Sequence, residues 1–187
     1  KIGMDYTVAT CGTSLTEDHL RILKRMTPNI HLCFDTDIAG KKATLRAVEM
    51  ILKTGLTPFI LEIKEAKDFD EAVQKKEVTP ALFESPPHAL EFLIGRFKKK
   101  FLNGSIQGQS KYLDAIFYFL RFLHRPIEKE NFLQLIAQSL QKPLDIIRDE
   151  FQLYARNNHR QKKKVFDKTP PKKLSRDEAF VGFISLY

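Results

Sequence analysis

No run of apolar residues in this sequence approaches the roughly 18 needed to cross a bilayer as a helix, so no membrane partner is expected. Cysteine is nearly absent. Cys11 and Cys33 are the only two in 187 residues, without CxxC spacing and without His or Cys neighbours at metal-ligand distances. That excludes a disulfide framework and a Cys/His zinc site within the chain, and it points to two reduced, buried thiols in a cytoplasmic protein. The first residues, KIGMDYTVAT, have neither the apolar core of a secretory signal nor the character of a transit peptide. They also lack an initiator Met, so the chain is expected to begin inside a longer protein. Acidic residues are the minority charge, 23 Asp and Glu against 31 Lys and Arg, for a net +8. The basic excess is densest in RQKKKVFDKTPPKK, residues 160–173, and suggests a polyanionic partner without identifying one. What is present is otherwise ordinary: 43% hydrophobic and 29% charged residues, enough to bury one large or two small cores.

The first part alternates strand and helix. Residues 6–10 (YTVAT) read as a short strand. A helix follows from Thr16, whose hydroxyl can cap it while Glu17 and Asp18 meet the positive end of its dipole. Residues 30–34 (IHLCF) read as a buried strand. The next helix runs over about 38–54, with Leu45, Val48 and Leu52 on one stripe, and Gly55 ends it where left-handed backbone is required. Residues 57–63 (TPFILEI) form a third strand with Pro58 near its start, and a short helix over 68–75 follows. Alternating strands and helices predict a mostly parallel sheet covered on both faces, within a first domain over residues 1–80.

From residue 86 the pattern changes. Leu90, Leu93, Phe97 and Phe101 mark a helix, as do Leu113, Ile116, Phe117, Leu120 and Leu123. Phe132, Leu133, Ile136 and Leu140 mark a third, and Leu144, Ile147, Phe151 and Tyr154 a fourth. These spacings predict an all-α helical bundle over 86–157, with the abundant phenylalanines as its core. Residues 158–173 read as a basic, proline-containing linker, and 174–187 as the start of a further region, a helix capped by Ser175. A lone amphipathic helix cannot bury its apolar face, so that last segment needs a partner or more chain.

The acidic residues fall into a pattern. Asp35 and Asp37 lie just past the second strand in CFDTDIAG, and Asp68 and Asp70 just past the third in KDFDEA. Functional groups of open parallel sheets gather at the carboxyl ends of the strands. In extended backbone residues i and i+2 point the same way, so each pair can face one spot. Four carboxylates in one cleft repel unless a cation sits among them. Hard oxygen donors suit Mg²⁺ or Mn²⁺, and two such ions about 3.5–4 Å apart would clamp the attacking and leaving oxygens of a phosphoryl transfer. The alternative is structural, with Asp68 and Asp70 capping the helix that follows them. Lys41 and Lys42, at the start of the helix after the first pair, are candidates for phosphate or nucleic-acid contact or simply solvated surface.

The same residues resemble a known family. ATCGTSLTEDHLRILKR (9–25), LCFDTDIAGKKATLRAVEM (32–50) and AKDFDEAV (66–73) are similar, in order, to the motifs of the Toprim domain of bacterial DnaG-type DNA primases. PPHALEFLIGRF (86–97) and residues 127–151 resemble the helical region that follows it. The resemblance implies a partial Toprim-like α/β parallel sheet followed by helices. It implies Asp35, Asp37, Asp68 and Asp70 as catalytic, metal-binding residues and Gly12 and Thr13 as cleft lining. It also implies a parent enzyme of the bacterial replisome, a nucleotidyltransferase that joins ribonucleoside triphosphates into primers on single-stranded DNA and contacts the replicative helicase. Two departures stand out: Thr36 replaces the family's usual Gly, and Phe69 its usual Pro. The family's catalytic Glu lies before the region matching Lys1, and its zinc-binding portion earlier still, so the chain alone is expected to be inactive. Other readings remain. One is another Toprim enzyme, a topoisomerase or OLD-type nuclease, although none of Tyr6, Tyr112, Tyr118, Tyr154 and Tyr187 sits in a context suggesting a nucleophile. Another is a non-catalytic module that docks on a helicase.

Overall fold

The computed structural model describes residues 7–10, 14–63, 65–76, 78 and 81–166. Within them the chain follows the predicted order, a partial parallel sheet with flanking helices and then helices alone. It divides into two compact units, Lys1–Arg148 and Asp149–Tyr187.

Helix α1 (Glu17–Leu23) starts as its sequence dictates. The Thr16 hydroxyl accepts from the His19 amide at 3.2 Å, and the His19 ring accepts in return from the Thr16 amide. Strand β1 (Asn29–Leu32) then pairs in parallel with β2 (Thr57–Ile60), Ile30 opposite Pro58 and Leu32 opposite Ile60. The crossover between them is α2 (Ile38–Lys53), which packs on both strands through Ala47, Val48, Ile51 and Leu52. Gly55 closes α2 with φ 74°, the left-handed conformation predicted for it. Pro58 lies where its missing N–H does no harm. The Thr57 and Leu61 amides donate to Pro28 and Leu32 beside β1, whereas Ile60 donates the other way, to Pro87, and Pro58 shares that side.

Both strands are shorter than predicted, and β1 is not uniformly buried. Ile30 and Leu32 are buried while Asn29 and His31 are exposed. Residues 33–35 leave the strand because they begin the turn into α2. Residues 7–10 carry no strand, so the strand expected over 6–10 is absent from its described part.

Helices α3 (Phe69–Gln74) and α4 (Ala81–Glu84) follow β2. A small core beneath them joins Ile63, Ala66, Ala72 and Val78, with Cys33 and Phe69 packed against it. Cys33 is a half-buried free thiol, pushed up to about 11 by burial and then by the negative charge of Asp35, as an unreactive structural cysteine would be. Cys11 lies outside the described residues.

Helices α5 (Ala89–Phe101), α6 (Ile106–Leu120) and α7 (Pro126–Leu140) pack around Leu90, Leu93, Ile116, Leu120 and Ile136 of the predicted stripes, and around Tyr112, which the spacing does not single out. The sheet joins them through the Ile60–Pro87 bond and a bridge between Phe59 and His88. Helix α8 (Leu144–Phe166) begins in the first unit, where Arg148 pairs with Glu130 of α7. It continues to Phe166, so 158–166 is helix rather than the expected linker. Arg, Gln and Lys are good helix formers and the first proline is Pro170, so nothing stops the helix earlier. Residues 167–173 of that linker and the predicted final helix lie outside the described residues. No helix among the described residues is long and apolar enough to cross a membrane.

Candidate functional site

The site is built from the two loops that follow β1 and β2. In the first, Asp37 is the N-cap of α2, its Oδ1 accepting from the Gly40 amide at 2.6 Å. Gly40 is obligatory. A Cβ there would stand 2.8 Å from the carbonyl carbon of Asp35 and closer still to its oxygen. The absence of a side chain thus lets the first turn of α2 press against the backbone of Asp35.

In the second loop Asp68 caps α3, accepting from the Glu71 amide at 2.8 Å. Glu71 answers by accepting from the Lys67 amide at 2.8 Å. That bond, helped by the Lys75 ammonium at 3.0 Å, holds the Glu71 carboxyl below the usual carboxylate range. Asp70 sits in the first turn and accepts from Gln74 at 2.9 Å.

Thr36 joins the two loops. Its amide donates to the Lys67 carbonyl at 2.9 Å, and its hydroxyl lies 3.3 Å from the same oxygen. The segment Asp35-Thr36-Asp37 therefore runs beside Lys67-Asp68. The Thr36 side chain thus adds its own contact at the seam.

Adjacency is not convergence. Among the described residues no three His, Cys, Asp or Glu lie close enough to hold an ion jointly. Capping explains this, since Asp37 and Asp68 each turn one oxygen onto their own helix. Asp35 makes no hydrogen bond or ion pair among the described residues, and Asp37 and Asp68 keep a second oxygen each. These are hard donors, and Mg²⁺ commonly takes only one or two carboxylates, completing its shell with water and phosphate oxygens. The donor set fits such an ion at Asp35 and Asp37, with Asp68 alongside. Gly12 and Thr13 lie outside the described residues.

A cavity of about 540 Å³ adjoins the first loop, with Asp35, Thr36 and Lys41 on one side and Phe92, Gly95, Arg96 and Lys99 of α5 on another. Lys42 is exposed and does not line it. The α5 residues were missed by reading that helix only for its core. The available signal was a second stripe at i, i+3, i+4 and i+7, with a glycine in mid-helix.

Two of the described tyrosines, Tyr112 and Tyr118, are held in packed settings. Tyr112 is buried and hydrogen-bonded to Ser139 at 2.7 Å. The Tyr118 hydroxyl is pushed up by burial and by Glu49, and its ring lies 4.3 Å beneath the Arg121 guanidinium. Tyr6 and Tyr187 lie outside the described residues.

Comparison with known proteins gives this geometry a context. Residues 1–73 match the Toprim-like family. The chain is 33% identical over 138 residues to a DNA primase of Clostridium acetobutylicum, an alignment covering 72% of this chain and 23% of that protein. It superposes on the E. coli primase catalytic core with a TM-score of 0.64 and 26% identity, over 76% of this chain and 47% of that one. It also superposes on a DnaG primase catalytic domain bound to single-stranded DNA, with a TM-score of 0.63 and 26% identity, over 75% of this chain and 46% of that one. The chain spans about a quarter of the length of the curated relatives it matches.

Proposed function

The chain belongs to the bacterial DnaG-type DNA primase family, and from that premise we propose that it carries the acidic half of a nucleotidyl-transfer site. A protein of its relatives' length would use that site to join ribonucleotides into primers on single-stranded DNA. The observation that carries this reading is the Thr36–Lys67 seam, which sets the two Asp-x-Asp loops side by side at the carboxyl ends of neighbouring parallel strands. A structural role for the aspartates accounts for Asp37 and Asp68 as caps. It leaves Asp35 without a purpose, because that carboxylate caps nothing.

In this reading Asp35 and Asp37 hold a divalent cation, Mg²⁺ or Mn²⁺, with Asp68 and Asp70 supporting it or a second ion from the adjacent loop. When bound, such ions stabilise the charge that develops on the attacking and departing oxygens of phosphoryl transfer. The chain's own contribution is placement. The caps fix one oxygen of Asp37 and one of Asp68, Gly40 fixes the backbone of Asp35, and the seam fixes one loop against the other. Lys41 and, less directly, Lys42 present positive charge to phosphates. Contact with single-stranded DNA is supported by the solved relative that binds it. A helicase partner is assigned to the segment after residue 173.

Replacing the ion with Fe²⁺ and generating hydroxyl radicals tests the arrangement. Backbone cleavage is expected in both loops, near residues 35–37 and 66–70, and to be suppressed by excess Mg²⁺. Cuts confined to one loop, or spread at random, would refute a shared site.

A further inference from the structure

Resting on the nucleotidyl-transfer reading, we propose that the α5 face bearing Phe92, Gly95, Arg96 and Lys99 holds the nucleoside triphosphate on which the acidic loops act. The cavity between them, about 540 Å³, falls within the range of small-ligand sites. Its charges are unsatisfied from within. Arg96, Lys99 and Lys41 all line it, and none forms an ion pair among the described residues. Arginine offers a planar fork that matches phosphate oxygens, and lysine a point charge.

Gly95 is the independent observation. Glycine inside a helix is unfavourable relative to alanine, so a packing or ligand reason is expected. Packing gives none, for nothing lies within 4 Å of where its Cβ would stand. A bare backbone there widens the cavity and lets a ligand approach α5 closely. Phe92, one turn earlier and half-buried, offers a ring face of the kind on which bases stack.

The occupant follows from the mixture of charges. Glu62 and Glu91 also line the cavity, so with Asp35 it carries as many carboxylates as cations. An extended nucleic-acid backbone would meet those carboxylates uncompensated. A triphosphate that brings its own divalent cation presents oxygens to Arg96 and Lys99 and positive charge to Asp35.

The test is calorimetric titration of ATP, with and without Mn²⁺, into the wild type, Arg96→Ala/Lys99→Ala and Gly95→Leu. Mn²⁺ alone and a short oligothymidylate are titrated in parallel. Gly95→Leu fills open space and is expected to fold normally. Both variants should bind ATP about tenfold or more weakly, with Mn²⁺ affinity unchanged and the thermal midpoint not lowered. ATP affinity unaltered in both variants overturns the proposal. So does a loss confined to oligothymidylate, which would make this face a nucleic-acid surface. If the wild type binds no Mn²⁺, the reading of the acidic loops fails by itself. The metal-free ATP titrations then still decide on α5, because equal affinities, or no ATP binding by the wild type, overturn it.

Discussion

Gly40→Ala is expected to cost about 3 kcal/mol of stability, the upper part of the usual range for forcing atoms into a packed site. For a chain of this size that lowers the thermal midpoint by about 10 °C. The reason is specific. A methyl group at position 40 would overlap the carbonyl oxygen of Asp35 and stand 2.8 Å and 3.0 Å from its carbonyl carbon and Cα. Backbone lies on both sides of the overlap, so no side chain can swing away. Relief would require α2 to retreat from the loop, loosening the Asp37–Gly40 bond at 2.6 Å and the Thr44 hydroxyl's bond to the Gly40 carbonyl at 2.8 Å. The variant should therefore lose divalent-ion affinity as well. The internal comparison is Gly95→Ala, where the space is empty and the helix is regular. That change should be neutral or stabilise by up to about 1 kcal/mol. Thermal unfolding of the two variants checks both statements, and equal midpoints would show that the contact at Asp35 is not limiting.

Acid should destabilise the fold well above the range in which carboxylates titrate. His88 joins the sheet to the helices. Its ring packs against Phe59 and Phe132 at centroid distances of 5.8 Å and 4.9 Å, and its Nδ1 accepts from the Leu90 amide at 3.1 Å, capping α5. An accepting Nδ1 requires the ring to lack a proton there, and burial pushes the histidine down to about 4. In the unfolded chain it titrates near its ordinary 6.5. Between those values the unfolded state binds a proton that the native state refuses. The contribution is thus fully present above pH 6.5 and is lost as pH falls toward 4. It amounts to about 3 kcal/mol. His31, exposed overall but partly desolvated with its ring edge-on to Phe59 at 5.2 Å, is lowered as well and adds to the same trend. Denaturant unfolding across that window should show the slope, and His88→Asn, which keeps a capping oxygen but does not titrate, should flatten most of it. A slope that persists in the variant would assign the acid sensitivity elsewhere.

Neither feature was legible in the sequence to the same degree. The Gly following Ala39 at the head of a helix carries a signal, since the motif CFDTDIAG places a residue without a side chain just after the acidic pair. What it approaches, the Asp35 backbone, emerges only when the turn is built. His88 has almost no signal, because a single histidine after Pro86-Pro87 looks like loop. Its role depends on Phe59 and Phe132, which are distant in sequence. Helix starts were readable from Thr16 and Asp68, and the end of α2 from Gly55, because caps and left-handed glycines act locally. Strand ends were not, because the tertiary Thr36–Lys67 seam decides where β1 gives way to the loop. The spacing of the aspartates raised the expectation of an acidic site. It could not say that Asp37 and Asp68 each commit an oxygen to a cap, leaving Asp35 as the carboxylate with no structural duty. The α5 wall was hidden for a different reason. Its residues share a helix with a strong core stripe, and that stripe explained the helix before its other face was considered.

The measurement that bears most directly on the central claim is calorimetric titration of Mn²⁺ into the wild type and an Asp35→Asn/Asp37→Asn variant. Asparagine keeps the capping oxygen at position 37, so the variant should unfold at the wild-type temperature while losing the charges. Saturable binding by the wild type, abolished in the variant, is the predicted result. Equal binding by both, or none by either, would contradict it and leave the two loops as helix caps laid side by side.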